Sequence, residues 1–452
     1  MARQIVSGKR YVIDGGVPLR GTVQISGAKN AAIKEIAASL LTDQPLVLRN
    51  VPGIADVAVD LEIVGSLGVA VSRLGANSLR LQSPSALKVR IPRTLAARSR
   101  AAVIAMGPLL AREGKVVLPT PGGCPIGKRP LDRHLSALES LGAQFAVDAH
   151  RIEGKVKKLR GGRIIFRKNT VMGTENALLA AVLAEGETEI AGAAVEPEVD
   201  DLILLLRKMG ARIQRDPHDP RTVMVQGVSS LTGACHEVLP DRNEAVTFAV
   251  AAAATCGDVT LSGVESAHLE AFLYKLEEVG VPFEASPGGL RVWSDSKAAL
   301  RPVEVETAPH PGFMTDWQQP MTLLLAQAEG ESWVHETVYE DRWKYLGELK
   351  KFGIHTTLCT PNEAGRKFDP SRYNFDWSRS SGPPKAFARV EGPTELQGAK
   401  VRISDLRAGA TLVLAALAAE GRSEVYGVEH IERGYERFEE KLSLLGARIK
   451  KG

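Results

Sequence analysis

The residues whose types and spacing best suit chemistry lie in a loop at positions 119–134, which reads PTPGGCPIGKRPLDRH. Its four prolines and three glycines exclude a helix or a strand, and glycine hinges allow such a loop to close like a lid. Cys124 stands at the tip of the loop, where Lys128 and Arg129 favour its thiolate form. A reactive cysteine is therefore one interpretation, and an idle cysteine in a surface loop is the other.

A second segment, at positions 307–320, reads TAPHPGFMTDWQQP and forms a proline-broken approach to a predicted helix. Asp316 has two interpretations there, as the N-cap of that helix or as a general base. The sequence contains none of the patterns GxxxxGK[ST], HExxH and GxSxG, and its histidines show no ligand spacing. We therefore expect neither a phosphate-binding P-loop nor a metal site.

Polar and basic residues open each of six predicted Ala- or Leu-rich helices, and they form a third group of candidates. Free N–H groups and a partial positive charge make a helix N-terminus attractive to anions. Asp241 and Asp405 are expected to be N-caps. Basic residues oppose the helix dipole, so we expect anion binding, at a cleft shared by the helix starts, to be the role of Lys29, Arg100 and Arg407.

An internal repeat supplies the elements that must position these residues. An amphipathic run that ends in a hydrophobic residue and a glycine recurs six times, at intervals of 74, 68, 70, 73 and 93 residues. A glycine at this place favours the left-handed backbone that follows a helix. The six glycines are Gly68, Gly142, Gly210, Gly280, Gly353 and Gly446.

Each repeat is predicted to form a strand, a helix, a strand, a helix and two strands (βαβαββ). The first helix is apolar nearly all round and should be buried, whereas the second is charged on one face and should lie near solvent. Six repeats make two domains of three, which we place at residues 29–239 and at residues 1–28 with 240–452. The long last interval indicates a surface insertion near residues 359–388.

Composition and charge exclude several classes of protein. The 452 residues are 44% hydrophobic and 24% charged, which is typical of a soluble globular chain and not of a disordered one. A net charge of +4 provides no broad basic field for nucleic acid. The N-terminus lacks the apolar region of a signal peptide, the longest apolar runs are too short to span a bilayer, and the four cysteines are far apart. We expect a cytoplasmic protein without nucleic-acid or membrane partners.

Eight motifs are shared with a known family: SGAKNAA (26–32), GPLLAR (107–112), PGGCPIGKRPLD (121–132), EPE (196–198), LPDR (239–242), TAPHPGFMTD (307–316), DLRAGA (405–410) and RGYERFEEKL (433–442). On these motifs the chain resembles the UDP-N-acetylglucosamine 1-carboxyvinyltransferases of the EPSP synthase-like superfamily, over nearly its whole length apart from the insertion. The resemblance implies an α/β fold of two inside-out barrel (prism) domains, built from six βαβαββ repeats, three per domain.

The resemblance also implies a reaction. Members of the family transfer enolpyruvate from phosphoenolpyruvate to the 3′-hydroxyl of UDP-N-acetylglucosamine and release phosphate, as the first committed step of peptidoglycan precursor synthesis. The transfer runs by addition and elimination through a tetrahedral intermediate and needs no metal or organic cofactor. These two substrates are the expected partners, and we expect a monomer or a weak oligomer.

Residue roles carry over motif by motif. Cys124 matches the loop cysteine that acts as an acid at the methylene carbon and forms covalent adducts, including one with fosfomycin. Asp316 matches the carboxylate proposed to deprotonate the acceptor hydroxyl. Lys29 matches the lysine that contacts phosphoenolpyruvate, and Asn30 the asparagine beside the reacting sugar. The resemblance further assigns phosphoenolpyruvate binding to Arg129, Arg407 and Arg433, nucleotide binding to Asp132, Lys168, Thr170 and Val171, and other substrate contacts to Arg100 and Val338.

Several positions depart from the family pattern. Residues 33–35 read IKE where the family usually has a Leu-Pro, and Met172 stands where a glycine is usual. Asn243, Val246 and Trp317 are further departures, and all of these lie at positions on the acceptor side. The first alternative is therefore an enolpyruvyl transferase with another nucleotide acceptor, such as UMP in antibiotic biosynthesis. The second alternative is a non-catalytic regulator that binds nucleotide sugars, although the matched catalytic residues argue against it.

Overall fold

A computed structural model describes residues 9–122, 131–295, 300–340, 342–375 and 382–452 of the protein. The described residues form two compact units. The first unit contains residues 27–122 and 131–239, and the second unit contains residues 9–26 and the described part of 240–452. The chain therefore enters the first unit after residue 26 and leaves it after residue 239.

Helices and strands alternate along both units. The strands are β1 (Arg10–Asp14), β2 (Arg20–Gln24), β3 (Leu46–Arg49), β4 (Ala70–Gly75), β5 (Ser78–Gln82), β6 (Lys115–Pro119), β7 (Gln144–Val147), β8 (Arg151–Lys155), β9 (Arg163–Ile165), β10 (Glu187–Ala191), β11 (Arg212–Arg215), β12 (Thr222–Gln226), β13 (Ala234–Glu237), β14 (Asp258–Ser262), β15 (Phe283–Ser286), β16 (Gly289–Trp293), β17 (Glu304–Glu306), β18 (Gly330–His335), β19 (His355–Cys359), β20 (Phe387–Gly392), β21 (Lys400–Arg402), β22 (Arg422–Tyr426) and β23 (Arg448–Lys451). The helices are α1 (Lys29–Ala38), α2 (Ala55–Ser66), α3 (Arg93–Ala96), α4 (Met106–Glu113), α5 (Asp132–Glu139), α6 (Val171–Ala181), α7 (Pro197–Lys208), α8 (Arg242–Ala254), α9 (Glu270–Val279), α10 (Gln318–Leu325), α11 (Lys344–Leu349), α12 (Leu406–Ala418) and α13 (Phe438–Leu444).

The Ala- and Leu-rich helices form the core of each unit. In the first unit, α1, α4 and α6 are largely buried, and α4 packs against α6. In the second unit, α8, α10 and α12 pack against one another, and every residue of α8 is buried. Small alanine side chains allow helices to approach closely, and an all-round apolar surface has no solvent-facing side. The prediction that these helices are buried is therefore confirmed.

Each unit contains three sheets that complete the repeats. Those of the first unit have the strand orders β13-β3-β5-β4, β6-β8-β7 and β11-β12-β10-β9. Those of the second unit are β15-β16-β14-β2, β17-β18-β20-β19 and β21-β22-β1-β23. One repeat is shorter than predicted, because an isolated bridge between Arg90 and Val117 stands where the others have a parallel strand pair.

The second helix of each repeat ends as the sequence pattern predicts. The helices α2, α5, α7, α9, α11 and α13 each precede one of the six glycines, whose φ angles lie between 92° and 113°. L-residues with a side chain rarely adopt this conformation, so glycine is the residue that allows the chain to leave the helix for the next strand. None of the described helices combines the length and the apolar character needed to cross a bilayer.

The predicted insertion connects β19 to β20. Its described residues are mostly exposed at 360–372, as expected for a surface segment. Tyr373 and Phe375 are buried, however, and pack with Phe387 in a small cluster separate from the main core. The Tyr373 hydroxyl lies 3.0 Å from His335 Nε2, which ties the insertion to β18. The insertion is therefore anchored to the second unit by aromatic side chains.

Candidate active site

The predicted site residues fall in both units, and each unit is described separately. In the first unit, Lys29 begins α1, and its ammonium nitrogen lies 3.1 Å from Asp56 Oδ2. Ala28, before the helix, supplies no side-chain cap, and its N–H donates to the Leu239 carbonyl at 2.7 Å. Uncapped N–H groups of the first turn therefore add to the charge of Lys29. This end of α1 has the electrostatic character of an anion site.

Arg100 lies at the start of the 3₁₀ segment Arg100–Ala105 in the same unit. Ser99 caps this segment by accepting from the N–H of Ala101 at 3.1 Å, and its hydroxyl donates to Asp60 Oδ1 at 3.1 Å. Burial raises the pKa of Asp60 to about 7. Burial, followed by the charges of Arg100 and Arg133, lowers the pKa of His134 to about 4. The positive charge at this site therefore comes from arginines and not from His134.

The segment that resembles a nucleotide-binding loop leads into α6. Thr170 caps α6 by accepting from the N–H of Gly173 at 3.2 Å. A Cβ atom at residue 173 would lie 2.6 Å from the Thr170 side chain, so this turn requires glycine there. Met172 is half-buried against the core of the unit, and it leaves the cap intact. Val171 begins the helix and is half-buried as well.

Asp132 and Lys168 flank this turn on two segments that Arg133 connects. Asp132 is the exposed first residue of α5, and the Arg133 guanidinium donates to the Asn169 carbonyl at 2.7 Å. Asn169 also donates through Nδ2 to Glu196 Oε1 at 2.9 Å. The structure thus links the start of α5 to the half-buried segment that contains Lys168.

In the second unit, Asp316 lies between two buried arginines. Asp316 Oδ1 is 2.6 Å from a terminal nitrogen of Arg342, and Oδ2 is 3.2 Å from Arg407 Nε. The Asp316 side chain is 20% exposed, whereas the two guanidinium groups are almost wholly buried. Asp316 caps no helix, because α10 begins after Trp317 and has no side-chain cap. The capping interpretation is therefore wrong, and the general-base interpretation stays a prediction.

Arg407 stands in the first turn of α12. Asp405 caps this helix by accepting from the N–H groups of Arg407 at 3.1 Å and Ala408 at 3.0 Å, as predicted. The guanidinium lies 5.2 Å from the centre of the Tyr435 ring. Its Nη1 atom is buried and finds no hydrogen-bond acceptor among the described residues. Arg407 thus retains an unused donor, which an oxyanion could satisfy.

Val338 and Arg433 complete the predicted set in this unit. The N–H of Val338 donates to Glu336 Oε1 at 2.7 Å. Arg433 is half-buried and lies in the turn that leads to Tyr435, whose ring contacts Arg407. Arg407 and Arg433, the two described arginines among the three matched to phosphoenolpyruvate binding, therefore come from neighbouring segments of one unit.

Glu336 and Arg342 bind Asp316 or its neighbour Thr315, and the sequence interpretation missed both of them. The Glu336 carboxylate accepts from the Thr315 hydroxyl at 2.7 Å and from Gln318 Nε2 at 3.1 Å, in addition to Val338. Arg342 also donates to the Thr315 hydroxyl, at 2.8 Å. Both residues belong to the charged run ETVYEDR, and its position directly after the strand β18 was the available signal. Together they bind the side chains of Thr315 and Gln318, which lie before and after Asp316 in the chain.

Asp241 caps α8, which confirms the second predicted N-cap. Next to it, Asn243 and its partner Trp317 are two of the departures from the family pattern. Asp241 accepts from the N–H of Asn243 at 2.8 Å and from that of Glu244 at 3.3 Å. The indole Nε1 of Trp317 donates to Asn243 Oδ1 at 3.0 Å, and both side chains are buried. Val246 is buried in the same helix. These departures are therefore internal packing partners of the second unit.

One group of described residues has the donor types of a metal site. Glu35, Asp201 and His236 offer ligand atoms that lie within 4.8 Å of one another. His236 Nε2 is 2.9 Å from Asp201 Oδ1, but its Nδ1 faces the Lys208 ammonium at 3.0 Å. A metal-bound histidine normally donates its other N–H to an acceptor, so an ammonium there fits a buried hydrogen-bond network better. The expectation of no metal site stays a prediction.

A surface cleft of about 780 Å³ in the second unit contains none of the predicted site residues. Its lining includes Tyr274 and Phe313, together with the ion pair between Glu306 and Arg372. Cys124 and Arg129 lie outside the described residues, so their roles stay predictions.

Comparison with known proteins identifies the family. The sequence matches the family described as EPSP synthase (3-phosphoshikimate 1-carboxyvinyltransferase) over residues 13–442. The chain belongs to the EPSP synthase family. Within this family, a protein from Anaeromyxobacter sp. (strain K) named UDP-N-acetylglucosamine 1-carboxyvinyltransferase is 45% identical over 446 residues, which are 98% of this chain and 99% of the relative. A protein of the same name from Magnetococcus marinus is 42% identical, again over 98% of this chain and 99% of the relative.

Two solved structures are similar to this chain over nearly its whole length. The enolpyruvyl transferase NikO from Streptomyces tendae has a TM-score of 0.84 at 25% identity, covering 98% of this chain and 99% of that chain. An EPSP synthase from Acinetobacter baumannii, at 18% identity, shares the fold with a TM-score of 0.70. The predicted family and the predicted EPSP synthase-like α/β fold are therefore confirmed.

Proposed function

We propose that this enzyme transfers enolpyruvate from phosphoenolpyruvate to the 3′-hydroxyl of UDP-N-acetylglucosamine and releases phosphate, which supplies precursors of peptidoglycan. The observation that carries the proposal is 45% identity, over 98% of this chain, to relatives named for this activity. Lys29, Asn30, Asp316, Arg407 and Arg433 all occupy the positions that match the family motifs. The chain therefore carries both the overall similarity and the described reactive side chains.

The charges of the described residues support binding of phosphoenolpyruvate. This substrate has a carboxylate and a phosphate, and arginine binds such oxygens through paired N–H donors. Arg407 has a buried unused donor, and Lys29 stands at the uncapped start of a helix. Arg407 is held by Asp316 in this structure, so we propose that binding of the anion replaces part of that ion pair.

The acid–base chemistry assigns different tasks to Asp316 and Cys124. In the addition step, the sugar oxygen bonds to the central carbon of phosphoenolpyruvate, its proton passes to a base, and the methylene carbon takes a proton. Loss of phosphate and of a proton from the new methyl group then restores the double bond. Asp316 is the proposed base and Cys124 the proposed acid. Two arginines stabilise ionised Asp316, so a shift of Arg407 towards the substrate would strengthen it as a base.

An acceptor comparison tests the proposal directly. Phosphate release from phosphoenolpyruvate should be measured with UDP-N-acetylglucosamine, with UMP and without an acceptor. We expect release with UDP-N-acetylglucosamine alone. Release with UMP only would establish the alternative acceptor and overturn the proposal, while nucleotide-sugar binding without any turnover would establish a regulator.

The identities favour the first of these outcomes. Relatives whose names specify UDP-N-acetylglucosamine are 42–45% identical to this chain, whereas the enolpyruvyl transferase NikO is 25% identical. The departures at Asn243 and Trp317 do not weaken the proposal, because these two side chains bind each other in the interior.

A further inference from the structure

We propose that Lys34 is a positioning residue for acceptor binding, which acts through a buried ion pair with Glu175 and through the backbone of Asn30. Lys34 belongs to the IKE segment that departs from the family pattern, so the resemblance assigns it no role. The inference rests on the proposed function, because Asn30 is the residue matched to the reacting sugar.

The contacts of the Lys34 ammonium carry the inference. Its Nζ atom donates to the carbonyl oxygen of Asn30, one turn earlier in α1. The same atom lies 3.2 Å from Glu175 Oε1. Side chains on a helix point back towards its N-terminus, which explains how Lys34 reaches the first turn. One ammonium therefore touches both the start of α1 and a carboxylate of α6.

Glu175 stands on the helix that follows the predicted nucleotide-binding segment. Thr170, the cap of α6, also accepts through its carbonyl from the Thr174 hydroxyl at 2.9 Å. On the other side of Glu175, Asn176 Oδ1 accepts from the N–H of Gly107 at 2.7 Å, which fixes α6 to α4. Glu175 is thus an anchored partner. The ion pair links the helix start that carries Asn30 to the one that carries Thr170.

Burial makes the two charges depend on each other. The Lys34 side chain is 4% exposed and that of Glu175 is not exposed at all. The partial positive charge at the start of a helix destabilises a nearby ammonium. The carboxylate of Glu175 supplies the negative charge that stabilises the Lys34 ammonium in this position. Conversely, burial raises the pKa of Glu175 to about 7, although Lys34 opposes that shift. Loss of either charge should change the contacts of the other.

Lys29, at the start of the same helix, does not depend on Glu175, because it pairs with a different carboxylate. Its ammonium pairs with Asp56 at 3.1 Å, on α2. A change at Lys34 should therefore disturb the acceptor more than phosphoenolpyruvate. Since small misplacements of binding groups have large kinetic effects, we expect Lys34→Met to raise the KM for UDP-N-acetylglucosamine about tenfold and the KM for phosphoenolpyruvate less than about twofold.

The experiment compares four test variants and one control variant with the wild-type enzyme by phosphate release, varying each substrate in turn. Lys34→Met and Glu175→Gln each remove one charge, and the double variant should be no worse than either alone if the two residues act as a pair. Lys34→Arg keeps the positive charge and should recover most of the acceptor KM. Lys158→Met is the matched control, because Lys158 forms an exposed ion pair with Glu185 in the same unit.

The outcomes separate this inference from a purely structural role. Thermal unfolding of every variant shows whether it is folded. If Lys34→Met does not fold, the two single variants Lys34→Arg and Glu175→Gln still test the inference. Unchanged KM values in these variants, with only a lower melting temperature, would overturn the inference and leave the proposed function intact. Wild-type enzyme that releases no phosphate with UDP-N-acetylglucosamine would overturn both.

Discussion

The indole N–H of Trp317 donates to Asn243 Oδ1 at 3.0 Å across the interior of the second unit. Trp317 directly follows the candidate base Asp316, and Asn243 directly follows Arg242, whose guanidinium lies 5.7 Å from the Trp317 ring. Phe272 and Phe313 pack edge-on against the same indole, and their two rings are tilted relative to each other. One polar contact within an aromatic cluster therefore supports the backbone that carries Asp316.

Removing this contact should destabilise the second unit. Trp317→Phe leaves Asn243 Oδ1 buried without its donor, and a buried unsatisfied polar group costs about 1–3 kcal/mol. We expect the free energy of unfolding in urea to fall by about that amount, and the Asn243→Leu, Trp317→Phe double variant to lose less than the sum of the single changes. Trp333→Phe is the control, because the Trp333 indole donates to Glu331 at an exposed position. Equal losses in the free energy of unfolding for Trp317→Phe and Trp333→Phe would contradict the prediction.

Asp316→Asn should reduce turnover while the protein remains folded. An amide cannot take the proton of the acceptor hydroxyl, and general base catalysis contributes roughly 10²–10⁴-fold to rate. We expect kcat for phosphate release to fall within that range, with circular dichroism confirming a folded chain. Asp258→Asn, which breaks an exposed pair with Arg291, should leave kcat unchanged. A kcat near that of the wild type would exclude Asp316 as the base.

The sequence was sufficient to predict features that depend on local geometry. The glycines after the solvent-facing helices, for example Gly142 and Gly446, have positive φ. A helix commonly ends in a residue with left-handed backbone, and glycine adopts that conformation without steric cost. Asp241 and Asp405 cap their helices because an aspartate before a helix reaches its own first turn. These contacts span only two or three residues along the chain.

The contacts that surround Asp316 could not be predicted in this way. Arg407 is 91 residues away in sequence, and Arg342 comes from a different segment again. Lys34 and Glu175 likewise belong to different repeats, and their pairing depends on how α1 and α6 pack. Tertiary packing decides such partners, and no local pattern records it. The resemblance assigned roles to single residues, and the structure supplied the partners that hold them.

The buried carboxyl group of Asp60 should give the first unit a measurable dependence of stability on pH. Burial raises its pKa from 3.8 to about 7, although the Ser99 hydroxyl partly opposes the shift. Between those values the folded chain binds more protons than the unfolded chain, so stability falls as pH rises. We expect Asp60→Asn to gain stability relative to the wild type as the pH rises from 5 to 8, as measured by urea unfolding. If the difference in free energy of unfolding between Asp60→Asn and the wild type stays constant from pH 5 to 8, Asp60 does not titrate in this range.

Cys124 should be alkylated selectively by fosfomycin. The resemblance assigns it the adduct-forming role, and Lys128 and Arg129 beside it favour the thiolate, which is the reactive form. Intact-mass spectrometry with UDP-N-acetylglucosamine present should show one adduct on the wild type and none on Cys124→Ala. Cys235 is an exposed free thiol, so Cys235→Ala is the control that separates selective from general alkylation. An adduct that persists in Cys124→Ala and disappears in Cys235→Ala would contradict the assignment.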